Sequence, residues 1–79
     1  MKLTILFFGG LMDVTGVAQK ELVIDNSFDV KLLNEHLQSM YPALGKYKYK
    51  IAVNQKMVNT QQTLNDGDEV AFLPPFAGG

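Results

Sequence analysis

The stretch Leu64-Asn65-Asp66-Gly67-Asp68-Glu69-Val70-Ala71-Phe72-Leu73-Pro74-Pro75-Phe76-Ala77-Gly78-Gly79 decides how the chain is read. Asn65-Asp66-Gly67-Asp68 is a turn: Gly67 can take the positive φ that a tight turn needs, and Asn and Asp side chains hydrogen-bond nearby backbone. Glu69-Val70-Ala71-Phe72-Leu73 then reads as a strand, with Val70 and Phe72 on one face and Ala71 and Leu73 on the other. It runs straight into Pro74-Pro75, whose fixed φ favours a stiff, extended stem. Residues 74–79 are therefore expected to form a protruding tail. Pro74, Pro75, Phe76 and Ala77 make the stem, and Gly78-Gly79 make a tip with no side chain to obstruct entry into a narrow channel. A frayed terminus is the ordinary alternative, but composition alone gives a closing Gly-Gly pair in only about one chain in two hundred. A stiff stem with a slim end suits delivery of the Gly79 carboxylate into another protein's active site.

The chain has 79 residues, so a single domain over residues 1–79 is expected. A chain of this size is stabilised by one well-packed core or not at all. Hydrophobic residues make up 47% of the sequence, which is enough for such a core and argues against disorder. There is no cysteine. No disulfide can brace the fold, no thiolate zinc site can form, and any sulfur chemistry must use the terminal carboxyl. The lack of thiols fits a cytoplasmic protein. Net charge is −1 with no arginine, the residue whose planar fork reads phosphates and base edges, so nucleic acid is not an expected partner. No apolar run, residues 5–8 included, is long enough to cross a bilayer. No signal peptide is visible, so no membrane association is expected.

Working back from the final strand, Ile51-Ala52-Val53-Asn54 reads as a strand, Asn54-Gln55 as a turn, and Lys56-Met57-Val58 as a short return. Lys46-Tyr47-Lys48-Tyr49-Lys50 alternates basic and aromatic residues. It is read as strand-like, with lysines to water and tyrosines toward the sheet, rather than as an anion patch. Val30, Leu33, Leu37 and Met40 recur at three and four residues and draw an apolar stripe along a helix. Asp29 is its expected N-cap, with Ser27 the competing choice, and Pro42 ends it near Met40 or Tyr41. Residues 20–25 read as a strand with Leu22 and Ile24 on one side. Residues 2–8 form another, with Leu3, Ile5 and Phe7 on one face and Thr4, Leu6 and Phe8 on the other. Gly9-Gly10 breaks that first strand, and residues 11–19 are a weakly patterned connection punctuated by Gly16. The short connection suggests an antiparallel hairpin of the first two strands.

Strand, strand, helix, strand, short strand, strand is an α+β order in which one helix covers one face of a mixed sheet. Fold knowledge, rather than periodicity, identifies this order as the β-grasp, or ubiquitin-like, arrangement with the last strand inside the sheet. Ala52-Val53-Asn54-Gln55, the run from Leu64 to Phe72, Pro74-Pro75 and the closing Gly78-Gly79 resemble the small subunit of molybdopterin synthase, the MoaD family. Phe7-Phe8 followed by a small residue matches as well. The resemblance spans the chain and is most specific over residues 64–79. Its Pro-Pro-x-x-Gly-Gly ending points to this branch rather than to the thiazole-synthesis sulfur carriers, which share the fold and the Gly-Gly tip; a carrier of sulfur for thiazole or for tRNA is the alternative within the same fold. The family's arginine shortly after the first strand has no counterpart in Gly9-Gly10-Leu11-Met12-Asp13.

The resemblance implies a sulfur carrier, the non-catalytic donor subunit of a heteromeric sulfurtransferase. An E1-like adenylyltransferase, using ATP and magnesium, would activate Gly79. A sulfur-supplying enzyme would then convert the acyl adenylate to a thiocarboxylate. The tail would enter the large synthase subunit, within a heterotetramer, and donate sulfur to cyclic pyranopterin monophosphate for molybdenum cofactor biosynthesis. The residues agree with this. A terminal carboxylate is an anion at neutral pH and a poor electrophile, so it needs activation. The chain has no phosphate-cradling glycine loop and no credible nucleophile–base pair. No cofactor is therefore expected on this chain, and the catalytic side chains are expected in its partners. An inert-tailed β-grasp binding module is the contrasting possibility.

Phe8, Met57 and Leu73 are expected as an apolar partner interface on the sheet face away from the helix, because Phe8 and Leu73 are out of phase with Phe7 and Phe72. His36 has no second ligand at metal-site spacing and reads as a surface helix residue. Asp66, Asp68 and Glu69 lack the calcium-loop pattern and read as turn chemistry, so no metal is expected.

Overall fold

The computed structural model describes residues 1–25 and 27–75. Strand β1 (Lys2–Phe7) is followed by helix α1 (Gly10–Thr15), strand β2 (Gln19–Val23), helix α2 (Val30–Met40), a 3-10 helix (Pro42–Lys46), and strands β3 (Lys50–Val53), β4 (Lys56–Met57) and β5 (Glu69–Leu73). The strands form one mixed sheet in the order β2-β1-β5-β3-β4. β1 and β2 pair antiparallel, Leu3 opposite Leu22 and Ile5 opposite Lys20, as the hairpin reading expected. β5 lies between β1, parallel to it, and β3, antiparallel to it. This is the expected α+β architecture, the β-grasp.

The period-two residues of three strands build one wall of the core. Leu3, Ile5 and Phe7 of β1, Val70 and Phe72 of β5, and Ile51 and Val53 of β3 are all buried. Val30, Leu33 and Leu37 of α2 form the facing layer, and Leu11, Leu44 and Leu64 seal its margins. Phe7, Phe72 and Tyr49 stack in sequence at ring separations of 5.4 and 5.3 Å, and Tyr41 meets Phe7 edge-on at 5.9 Å.

Helix α2 is capped as expected: the Asp29 carboxylate accepts the Leu32 N–H at 2.8 Å. The Val30 and Lys31 N–H groups donate to the carbonyls of Gln62 and Thr60 at 2.9 and 3.0 Å, so residues 60–62 satisfy the rest of the first turn. The turn at Asn65–Asp68 is pinned to its neighbours. The Asp66 carboxylate accepts the Lys2 N–H at 2.6 Å, and that of Asp68 accepts from the Asn65 N–H at 2.8 Å and from Asn54 Nδ2 at 2.9 Å.

Four expectations are corrected. Residues 10–15 are helical rather than an unpatterned connection: Leu11 is buried, Thr15 Oγ1 donates to the Leu11 carbonyl at 3.2 Å, and Gly16 caps the end at φ +79. A helix this short is stable only because its Leu11 reaches the core. Met40 leaves the apolar stripe and is 39% exposed. Tyr41, four residues after Leu37 and next to the proline-led turn, packs against the core in its place. Residues 46–49 are not strand, because the 3-10 helix led by Pro42 runs to Lys46 and β3 begins only at Lys50. Tyr47 consequently faces water, while the Tyr49 hydroxyl donates to Asn34 Oδ1 and accepts from Gln38 Nε2 at 2.8 Å. The first strand ends at Phe7 rather than Phe8, and the second runs over Gln19–Val23, although the Phe8 and Ile24 N–H groups still bond to the carbonyls of Phe72 and Met1.

Asn54 and Gln55 join β3 to β4 with φ of +51 and +70. Positive φ at both centres is the type I′ turn, which Gly fits best at the second centre. Gln55→Gly is expected to raise stability by about 0.5–1 kcal/mol, since an L side chain in that region costs about 1–2 kcal/mol. Urea denaturation checks this.

Candidate functional site

Strand register decides which side chains share the face opposite α2. Leu6 stands beside Ala71, Ala71 beside Ala52, and Ala52 beside Met57, so an apolar row crosses four strands. One step toward the end of β5, Leu73 lies opposite Lys50, and Phe8 follows Leu6 while its N–H bonds the Phe72 carbonyl at 3.1 Å. One step the other way, the face turns polar with Glu21, Thr4 and Glu69. The Lys2 ammonium pairs with Glu21 there at 3.0 Å. The apolar part of the face thus lies at the end from which Pro74 and Pro75 leave the sheet.

Phe8 and Met57 are 44% and 56% exposed, and Leu73 is half-buried. The fold brings all three expected interface residues to one face, Phe8 and Leu73 toward the root of the tail and Met57 at the edge. Leu6, Ala71 and Ala52 complete the patch but were not singled out as site residues. Leu6 and Ala71 are each out of phase with the core positions of their strands, which was the available signal; their alignment into a row needs the strand register. Water cannot hydrogen-bond such a surface, and covering it with a partner's apolar side chains is favourable.

Pro74 is half-buried beside Gly9, and Pro75 is exposed. The remaining expected tail residues, Phe76, Ala77, Gly78 and Gly79, lie outside the described residues, as does Asn26.

Asp66 and Asp68 spend their carboxylates on turn N–H groups, so the turn reading accounts for them. Among the described residues no group of three or more His, Cys, Asp or Glu side chains is placed to hold a metal ion. His36 is exposed on α2 and meets Phe28 edge-on at 6.1 Å. A groove of about 310 Å³ between α2 and the β3–β4 edge is lined by Asn34, Tyr49, Ile51 and Val58 among others. It lies at the sheet's edge, where Met57 also borders it, and its polar lining is Asn34, Tyr49, Lys50, Asn59 and Thr60, of which Tyr49 and Asn34 are bonded to each other. No helix among the described residues is long and apolar enough to cross a membrane.

Comparison with known proteins places these features in context. The model of the ThiS family matches residues 5–79. The molybdopterin synthase sulfur carrier subunit of Mycobacterium tuberculosis is 38% identical over 82 aligned positions, covering 100% of this chain and 99% of that protein. Subunit 1 in the solved complex of subunits 1 and 2 of the molybdopterin-converting factor from Helicobacter pylori is similar in structure, with a TM-score of 0.71, 29% identity and full coverage of both chains. The small archaeal modifier protein 1 of Haloferax volcanii shares the fold, with a TM-score of 0.84 and 20% identity over 95% of this chain and 98% of that one.

The burial pattern separates two neighbouring phenylalanines. Phe7→Ala is expected to cost about 3–5 kcal/mol, as for a fully buried aromatic. Phe8→Ser is expected to cost about 1 kcal/mol, well below the Phe7 loss, since Phe8 is 44% exposed where Phe7 is 2% exposed. Equal losses in urea denaturation would place Phe8 in the core rather than on the exposed face.

Proposed function

This chain belongs to the ThiS family, and from that premise we propose that it is the sulfur carrier subunit of a molybdopterin synthase, with Gly79 as the atom-transferring end. The observation that carries the proposal is the position of β5. The strand at the centre of the sheet runs directly into Pro74, beside an exposed apolar face. A partner that docks on Phe8, Leu73 and Met57 therefore has the root of the tail at the border of its contact surface.

The chemistry follows from the state of the carboxyl. As an anion it resists nucleophiles. Attack of its oxygen on the α-phosphate of ATP, held with magnesium by an E1-like partner, expels pyrophosphate and leaves a mixed anhydride. Hydrosulfide released by a sulfur-supplying enzyme then attacks the acyl carbon, and AMP departs as the leaving group, which gives the thiocarboxylate. Gly79 carries it into the large synthase subunit, in a heterotetramer, where its sulfur bonds to a carbon of cyclic pyranopterin monophosphate and water cleaves the acyl C–S bond, returning the carboxylate. The domain contributes binding, direction and a slim tip, while acid–base groups and the phosphate cradle belong to the partners. The work is placed in the cytoplasm, where ATP and reduced sulfur donors are available.

Intact mass of the chain from cells with the loading system is expected to show a fraction heavier by the oxygen-to-sulfur difference and reversible by hydrolysis. Deletion of Gly79, or one residue added after it, is expected to abolish sulfur transfer with unchanged thermal stability. Full transfer by an extended tail would refute the mechanism, and a mass that never changes would favour the inert module.

Phe8→Asp is expected to leave the fold intact and to weaken capture of the large subunit in a pull-down by about tenfold or more, because a charge at an apolar contact is desolvated without a partner. Capture of a thiazole-forming or tRNA-thiolating enzyme by the unaltered chain would reassign the acceptor.

A further inference from the structure

Gly9 follows β1 with φ +57 and ψ −137, a backbone state that residues with a Cβ rarely adopt. It opens the turn into α1, in which the Leu11 N–H donates to the Phe8 carbonyl at 3.1 Å. Its α-carbon also faces the tail. A Cβ placed on Gly9 would lie 3.0 Å from Pro74 Cγ and 3.8 Å from Pro74 Cδ, the first of these well inside ordinary carbon–carbon contact. Pro74 has little freedom to retreat, because its φ is locked by the ring and Leu73 before it is held in the ladder opposite Lys50. The adjacent Gly10 is different: a Cβ there meets nothing within 4 Å.

We propose that Gly9 is a positioning residue, whose bare backbone is the seat on which the Pro74 ring rests and which sets the direction in which the tail leaves the sheet. The inference rests on the sulfur-carrier function proposed above. A stem free to point anywhere loses that freedom on entering a partner's channel, at a cost in entropy. A ring seated at the root removes part of that freedom in advance. Direction at the root also matters by leverage: Gly79 is five peptide steps beyond Pro74, a polyproline run of that length spans about 15 Å, and a tilt of about 20° over such a span moves the far end by about 5 Å. Sulfur transfer needs the reacting atoms within near-contact distance, and misplacement by about 1 Å can cost about a hundredfold in rate.

The test compares full-length wild type, Gly9→Ala, Gly10→Ala, Pro74→Ala and the Gly9→Ala/Pro74→Ala pair. Each is loaded as the thiocarboxylate and assayed in single turnovers at saturating large subunit, with partner affinity measured separately. Gly10→Ala is expected to match wild type. Gly9→Ala is expected to bind the large subunit within about twofold of wild type yet transfer sulfur about tenfold more slowly. In the double variant the loss is expected to be smaller than the product of the two single losses, because the ring that a Cβ would strike is gone. Losses that multiply, or a Gly9→Ala chain that transfers at the wild-type rate, would overturn the seat. Should Gly9→Ala fold poorly, Pro74→Ala reads the same contact from the other side. It is expected to slow transfer with melting temperature unchanged, and an unchanged rate would overturn the proposal. A loaded wild-type chain that transfers no sulfur defeats the carrier function itself, which is a different result from a functional carrier indifferent to Gly9.

Discussion

The parallel pairing of β1 with β5 is the constraint on which the rest of the structure depends. Parallel neighbours cannot be joined by a tight hairpin and need a long crossover. Here the crossover is everything between them: the β2 return, α2, the 3-10 helix and the β3–β4 hairpin. With β3 on its far side, β5 lies inside the sheet and pairs on both edges. Pro74 and Pro75 therefore follow a strand that is paired on both sides rather than an edge strand.

The same strand divides the chemistry of the two faces. Val70 and Phe72 point into the core and are fully buried, so the aromatic contacts of Phe72 with Phe7 and Tyr49 tie the strand to both neighbours and to the helix layer. Ala71 and Leu73 point the other way, into the apolar row. Ala71 and Ala52 stand at its middle between the larger Leu6 and Met57, with Ala52 itself buried at 4% exposure. At the other end of the face the turn is held by the Asp66 and Asp68 carboxylates, and Val23, 78% exposed, stands there opposite Lys2.

Particular residues show why much of this was legible and where legibility stopped. Leu3, Ile5 and Phe7 alternate cleanly, as do Val70 and Phe72, and each is buried as its period demanded. Asp29 announced its helix because a carboxylate before an apolar stripe has few other uses. Helix α1 gave no such signal: with Leu11 and Thr15 buried and Val14 partly so, its periodicity is about one turn deep, and its stability comes from contacts distant in the chain. Tyr47 and Tyr49 are alike in local sequence, yet one lies in water and the other is bonded to α2, a difference created by where the helix passes. In the candidate site, Phe8 and Leu73 betrayed themselves by being apolar and out of phase, whereas the contact between Gly9 and Pro74 joins residues far apart in the chain and left no mark that local patterning could register.

Sequence by itself determined the order of the five strands and the long helix, the single core, and the turns at Asn54-Gln55 and at Asn65–Asp68. These depend on local backbone preference and on side-chain periods of two and 3.6, which operate over a few residues. Tertiary structure alone decided that β5 lies between β1 and β3, that Leu6, Ala71, Ala52 and Met57 line up, and that Gly9 stands under Pro74. Those facts are matters of register and approach between segments brought together by burial of a shared apolar face, and no local preference encodes which distant segment arrives there.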